Sequence, residues 1–185
     1  MKSTIKTQLG TDVSQSPLYG RIINEGHWNR VCSYLKDVSE AQVLYGGESD
    51  RSTRYISPTL VDVNSADLDK PLMTDEIFGP VLPIYTVRSM DEAIDFVNAR
   101  PKPLAAYVFS SDRHTVEDVL SRTTSGTACV NDCVFQFLNS HLPFGTCSSA
   151  TLPVAYFELR SQHYYCCTIG CTICWRFLSL RWQAG

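Results

Sequence analysis

The sequence predicts an α/β protein built on an open, mostly parallel sheet. Strand and helix patterns alternate without a break from residue 81 to residue 130, and the connections between them are short. The strands Tyr107-Val108-Phe109 and Ala128-Cys129-Val130 are continuously apolar, as strands covered on both faces are. A length of 185 residues suits one domain of ordinary size, and is short for a two-domain enzyme carrying its own cofactor fold.

The first regular element is expected over residues 26–38, where Trp28, Val31, Cys32, Leu35 and Val38 fall on one 3.6-period face. Apolar runs at 41–44 and 56–63 read as short or edge strands, interrupted by Gly46-Gly47 and by Pro58. The polar stretch 48–54 between them reads as a loop. A β-α-β-α-β series follows, with strands at 81–87, 104–110 and 127–130 and helices at 90–99 and 113–122.

The boundaries of that series carry their own signals. Ser89-Met90-Asp91-Glu92 is a capping box in which Ser89 accepts from the backbone three residues on and Glu92 reaches back. Ala93, Ile94 and Val97 then form a buried stripe. Pro101 and Pro103 stop this helix, and Gly126 suits the left-handed position ending the next, where Val116, Val119 and Leu120 line the inner face.

Composition narrows the function class. Hydrophobic residues make up 44% and charged residues 19%, and 16 basic against 19 acidic side chains leave a formal charge of −3. Such a balance gives no general pull toward nucleic acid or anionic lipid. Residues 1–10 hold no apolar signal-peptide core, so the eight cysteines point to a reducing, cytoplasmic setting rather than a disulfide scaffold.

Five of those cysteines, Cys147, Cys166, Cys167, Cys171 and Cys174, fall in one late stretch. Residues 146–185 lack helix or strand patterning of normal quality and are expected to form a poorly ordered, Cys-rich tail. The apolar run 164–180 is interrupted by Arg176, which disfavours a membrane span. Cys171-Thr172-Ile173-Cys174 has zinc-knuckle spacing but lacks the polar, Gly-containing loop that usually separates ligand pairs, so no metal site is assigned. The four scattered histidines read as surface or loop residues.

The most informative segment is Thr74-Asp75-Glu76-Ile77-Phe78-Gly79-Pro80. A carboxylate two residues from an aromatic, followed by a Gly-Pro turn, can present a charged acceptor and a flat apolar face from one rigid loop. That pair suits a nucleotide sugar, whose hydroxyls donate to the carboxylate while the ring packs alongside. From spacing alone, a locally capped acid and a core Phe is the favoured reading.

Residues 75–84, Asp-Glu-Ile-Phe-Gly-Pro-Val-Leu-Pro-Ile, resemble the Glu-Glu-Ile-Phe-Gly-Pro-Val motif of the aldehyde dehydrogenase superfamily. Ser16-Pro17-Leu18-Tyr19-Gly20-Arg21-Ile22-Ile23-Asn24, Tyr55-Ile56-Ser57-Pro58-Thr59-Leu60, Pro103-Leu104-Ala105-Ala106-Tyr107-Val108-Phe109-Ser110, Val130-Asn131-Asp132 and Leu142-Pro143-Phe144-Gly145 are similar, in order, to the class 3, fatty and aromatic aldehyde branch. The resemblance covers residues 1–145 and implies the late part of that family's catalytic domain, an incomplete version of its sheet.

The resemblance also implies roles. Glu76 would bind the nicotinamide ribose hydroxyls and Phe78 would support the nicotinamide side of NAD or NADP. Phe144 would line the aldehyde pocket, with Phe135 and Phe137 in the loop that shapes it. The family's reaction uses a cysteine thiolate to attack the aldehyde, donors to hold the oxyanion, NAD(P)+ to take the hydride and a glutamate to activate water. Its Gly-Gln-x-Cys nucleophile segment, glutamate base and coenzyme domain would all fall before Met1, so no catalytic residue is assigned here. Cys129 and Cys133 flank Val130-Asn131-Asp132 but read as buried structural thiols, as does Cys32 in its helix.

After Gly145 relatives continue with a second glycine and a Gly-rich loop, whereas this chain reads Thr146-Cys147-Ser148-Ser149-Ala150. Translation through an intron, a frameshift or an alternative exon produces changes of this kind. Two functions are therefore expected. One is a portion of an aldehyde-oxidising enzyme that is inactive by itself; the other is a truncated, non-catalytic module that binds full-length subunits or a second copy of itself.

Overall fold

The computed structural model describes residues 1–133 and the backbone of two later strands, Val154–Arg160 and His163–Ile169. The described residues fall into two compact units. One comprises residues 1–62 and 77–82; the other comprises 63–76, 83–133 and the two later strands.

The first unit opens with helix α1 (Lys2–Leu9), which the sequence pattern does not mark because Ile5 and Leu9 alone make too short a stripe. Both are buried in a cluster with Val13, Tyr19 and Tyr55, and the Tyr19 hydroxyl donates to the Ile56 carbonyl at 2.7 Å. Helix α2 (Glu25–Lys36) starts on Asn24, whose side chain accepts from the His27 N–H at 2.8 Å. Glu25 in its first turn and Lys36 in its last complement the helix dipole. Its buried residues are Val31 and Tyr34, while Trp28, Cys32, Leu35 and Val38 of the expected stripe are half-buried.

Strand β1 (Val43–Tyr45) pairs antiparallel with β4 (Thr59–Val63), which is shared between the two units. The expected loop 48–54 contains strand β2 (Ser49–Asp50), which pairs antiparallel with β3 (Tyr55–Ile56) just beyond it. The long run expected at 56–63 is cut at Ser57-Pro58, where Gly46 packs so closely against the Pro58 carbonyl that no side chain fits.

In the second unit a capping box of Asn64 and Asp67 and the short helix α3 (Pro71–Thr74), with proline in its first turn, lead toward the motif segment. The expected alternation then appears: β5 (Val81–Val87), α4 (Met90–Asn98), β6 (Ala105–Phe109), α5 (Arg113–Arg122) and β7 (Thr127–Val130). Within this unit the strand order is β5-β9-β8-β6-β7, with β8 (Val154–Arg160) and β9 (His163–Ile169) in the interior. Strand β6 runs parallel to both β7 and β8. Strand β9 follows β8 as a hairpin and runs antiparallel to β8 and to β5.

The packing explains the details that periodicity alone misplaces. Ser89 accepts from the Glu92 N–H as expected, but the Glu92 carboxylate reaches one residue further back, to the Arg88 N–H at 2.8 Å. Arg88 thus presents its amide and side chain to the same carboxylate. Ala93, Ile94 and Val97 are buried, joined by Phe96, which stacks on Tyr85 of β5 at 4.9 Å under the Arg100 guanidinium. In α5, Val119 is fully buried and Leu120 is exposed. The helix ends on an extended Thr123 rather than on Gly126, whose N–H donates to the Pro103 carbonyl at 3.0 Å and so leads the chain into β7 beside β6.

Candidate functional site

The motif segment buries its neighbours and displays one aromatic ring. Ile77 is 1% exposed, and Gly79 and Pro80 are buried, whereas Phe78 between them is 48% exposed. Phe78 also has φ 43, a left-handed backbone that a bulky aromatic residue adopts only when its surroundings impose it.

Those surroundings are three braces on successive parts of the segment. A guanidinium N–H of Arg30 (Nη2) donates to the Ile77 carbonyl at 2.8 Å. A Cβ placed on Gly79 would come within 2.7 Å of both methyl carbons of Val31, so glycine is needed for the close approach. The Pro80 carbonyl accepts from the Thr59 N–H of β4 at 2.8 Å. Arg30 is itself held: its Nη1 donates to the Tyr34 hydroxyl at 2.9 Å, and its guanidinium lies 5.5 Å from the centre of that ring.

Of the two residues assigned to the coenzyme, Phe78 is thus presented outward on a fixed backbone, which settles against a core Phe. Glu76, two residues before it in the same segment, is half-buried. Phe135, Phe137 and Phe144, assigned to the aldehyde pocket, lie outside the described residues. The bracing by Arg30 and Val31 was missed in the sequence because it joins positions nearly fifty residues apart. The one local sign was the four-residue spacing of Arg30 and Tyr34 on a helix, which lets a cation reach an aromatic ring.

A second fixed point lies where β7 ends. Asn131, with φ 55, accepts from the Ser110 N–H and donates to the Ser110 carbonyl, each at 2.9 Å. This closed pair ties the chain leaving β7 to the end of β6.

Cys32 and Cys129 are half-buried. Cys133 is buried. Burial pushes the Cys32 and Cys129 thiols up, and the Asp132 charge adds to the shift at Cys129, so neither is poised as a thiolate at neutral pH. Among the described residues no group of three or more His, Cys, Asp or Glu could hold a metal ion, and no helix is long and apolar enough to cross a membrane.

Comparison with known proteins places these features in context. The sequence model of the aldehyde dehydrogenase family matches residues 1–151. The chain is 45% identical over 146 residues to the dimeric NADP-preferring aldehyde dehydrogenase of Rattus norvegicus, covering 78% of this chain and 31% of that protein. It is 41% identical over 145 residues to the 4,4'-diaponeurosporen-aldehyde dehydrogenase of Staphylococcus aureus, covering 78% and 31%, and 43% identical over 145 residues to aldehyde dehydrogenase family 3 member A2 of Mus musculus, covering 78% and 29%. Among solved structures, the substrate-bound state of Staphylococcus aureus AldH superposes with a TM-score of 0.75 at 33% identity, over 100% of this chain and 38% of that one. The chain therefore spans about three tenths of the length of these three curated relatives.

Proposed function

The chain belongs to the aldehyde dehydrogenase family, class 3-like, and from that premise we propose that residues 76–78 hold the nicotinamide-ribose end of an NAD(P)+ coenzyme. The observation that carries this reading is the outward, left-handed Phe78 on a segment braced by Arg30, Val31 and Thr59. Backbone strain of this kind persists where surrounding structure over-determines it, and functional sites are where it concentrates.

The residues present fit that group. A carboxylate at Glu76 accepts hydrogen bonds from vicinal ribose hydroxyls, and the exposed face of Phe78 shields a flat ring from water. The coenzyme, when bound, supplies the hydride acceptor for oxidation of an aldehyde to a carboxylic acid. The contribution of this chain is orientation: Glu76 fixes the ribose, and the rigid backbone on its C-terminal side fixes where the ring of Phe78 stands. Phe135, Phe137 and Phe144 are assigned to the aldehyde side on the family pattern.

These 185 residues contain no Gly-Gln-x-Cys segment, and the described thiols are buried or raised in pKa. The chain by itself is accordingly proposed to be catalytically inactive, with NAD versus NADP left to the parts of a coenzyme site that residues 76–78 do not supply. Purified chain mixed with a medium-chain or aromatic aldehyde and NAD+ or NADP+ should give no absorbance of reduced nicotinamide. Coenzyme reduction that scales with protein concentration would overturn this.

A second reading, a non-catalytic module that binds full-length subunits, is favoured by Leu18 and Ile23, which are 68% and 80% exposed in the segment before α2. Co-expression with a full-length class 3 relative, followed by size-exclusion chromatography, should then give co-elution. Separate elution would count against it.

A further inference from the structure

We propose that Arg30 is a positioning residue for Phe78: by capturing the Ile77 carbonyl it locks the peptide plane between residues 77 and 78 and so holds Phe78 in its left-handed, outward-facing conformation. The functional meaning of this lock rests on the coenzyme reading above; the lock itself rests on geometry alone.

The peptide unit joining Ile77 to Phe78 contains the Ile77 carbonyl and the Phe78 N–H, and its orientation is set by ψ of residue 77 and φ of residue 78. A flip of that unit would move φ of Phe78 out of the positive region, where an L-residue with a Cβ is disfavoured. Something must oppose the flip. Ile77 is anchored by its buried side chain, Gly79 by its contact with Val31, and Pro80 by the Thr59 N–H. None of these acts on the carbonyl that a flip would turn away.

The bond at 2.8 Å from Arg30 Nη2 does act on it. A charge-assisted donor is stronger than a neutral one, and a planar guanidinium held at a second corner by the Tyr34 hydroxyl at 2.9 Å cannot follow the carbonyl if it turns. Lysine would supply a single flexible point charge and could reach one of the two oxygens without fixing the direction of approach. The position of Arg30, one residue before the Val31 side chain that Gly79 touches, means that one turn of α2 sets both flanks of Phe78.

The test is nuclear magnetic resonance on the whole 185-residue chain, comparing wild type with Arg30→Met and Arg30→Lys. The three-bond coupling and carbon shifts of Phe78 should report a positive φ in wild type and a negative φ in R30M, with R30K between them. Amide exchange at Phe78 and Gly79 should rise about tenfold or more in R30M, while the amides of β6 remain as in wild type. A positive φ and unchanged exchange at Phe78 in R30M would overturn the proposal. If R30M does not fold, Tyr34→Phe, which frees one corner of the guanidinium, takes its place and should raise exchange at Phe78; unchanged exchange again overturns the lock.

The coenzyme reading is tested separately in the same samples by titrating nicotinamide mononucleotide. Shifts at residues 76–78 in wild type that vanish in Glu76→Gln and weaken in R30M support both ideas. Shifts that vanish in E76Q but persist at full size in R30M overturn the role of the lock in presenting the coenzyme face. No shift at 76–78 in wild type overturns the coenzyme reading, and the Phe78 coupling alone then decides whether Arg30 holds the peptide plane.

Discussion

Gly79 and Val31 meet so closely that a single added carbon on the glycine would stand 2.7 Å from both methyl groups of the valine. Val31 is fully buried in α2, and its β-branched side chain has little rotamer freedom on a helix. The contact therefore cannot be relieved by a side-chain swing. Gly79→Ala should cost about 1–3 kcal/mol of stability, the range for an overpacked core. Denaturant melts would measure it, and Val31→Ala in the same chain should recover part of the loss by emptying the space that the new methyl needs. Additive losses would show that the clash lies elsewhere.

Ile77 and Phe78 should respond in opposite ways to truncation. Ile77 is buried, and Ile77→Ala should cost about 2–5 kcal/mol. Phe78 is about half exposed and sits at φ 43, so Phe78→Gly sheds backbone strain while losing little packing. Its stability should stay within about 1 kcal/mol of wild type or rise above it. A large loss from F78G would mean that the ring is part of the core and not a displayed face.

The Asn131 pair with Ser110 explains why an amide side chain stands at the end of β7. Ser110 is buried, and removing the amide leaves its backbone N–H and carbonyl without the partners they now have. Asn131→Ala should cost about 2 kcal/mol, with thermal melts as the readout. Asn131→Asp keeps the acceptor and loses the donor, so it should fall between Ala and wild type. Equal melts for all three would show that the pair contributes nothing to stability.

Acid should weaken the starts of α4 and α5. Hydrogen bonds from the Thr115 hydroxyl and backbone hold the Asp112 carboxyl below its usual range, and the Arg88 N–H does the same for Glu92. A depressed folded-state value contributes stability that is complete above the ordinary carboxylate range and drains away as pH falls through the lowered value. Asp112→Asn keeps a cap but removes the titration, so its stability should vary less with pH over that acid window. A parallel pH curve for the variant would show that Asp112 carries none of the dependence.

The β-α-β-α-β core was legible because apolar spacing, caps and chain breaks agree there, from Ser89 at the start of α4 to the apolar strands around Tyr107 and Cys129. The exposure of Phe78 was not legible from the segment's spacing, which suits a core Phe as well. Nor was the segment's bracing, since the Arg30 bond to Ile77 and the Val31 contact with Gly79 depend on how two distant stretches meet. Helix α1 escaped because two buried residues, Ile5 and Leu9, leave no repeating pattern. The β8–β9 hairpin lies in a stretch whose apolar residues follow no regular period.

Glu76 and Phe78 are proposed to serve the nicotinamide end of the coenzyme. The most direct measurement replaces the matched segment of the Rattus norvegicus relative with residues 1–145 and compares coenzyme kinetics with and without Glu76→Gln. Loss of charged hydrogen bonds to the ribose should lower kcat/KM for the coenzyme by about ten- to a hundredfold. An active chimera whose coenzyme kinetics are the same with glutamate or glutamine at position 76 would contradict that role.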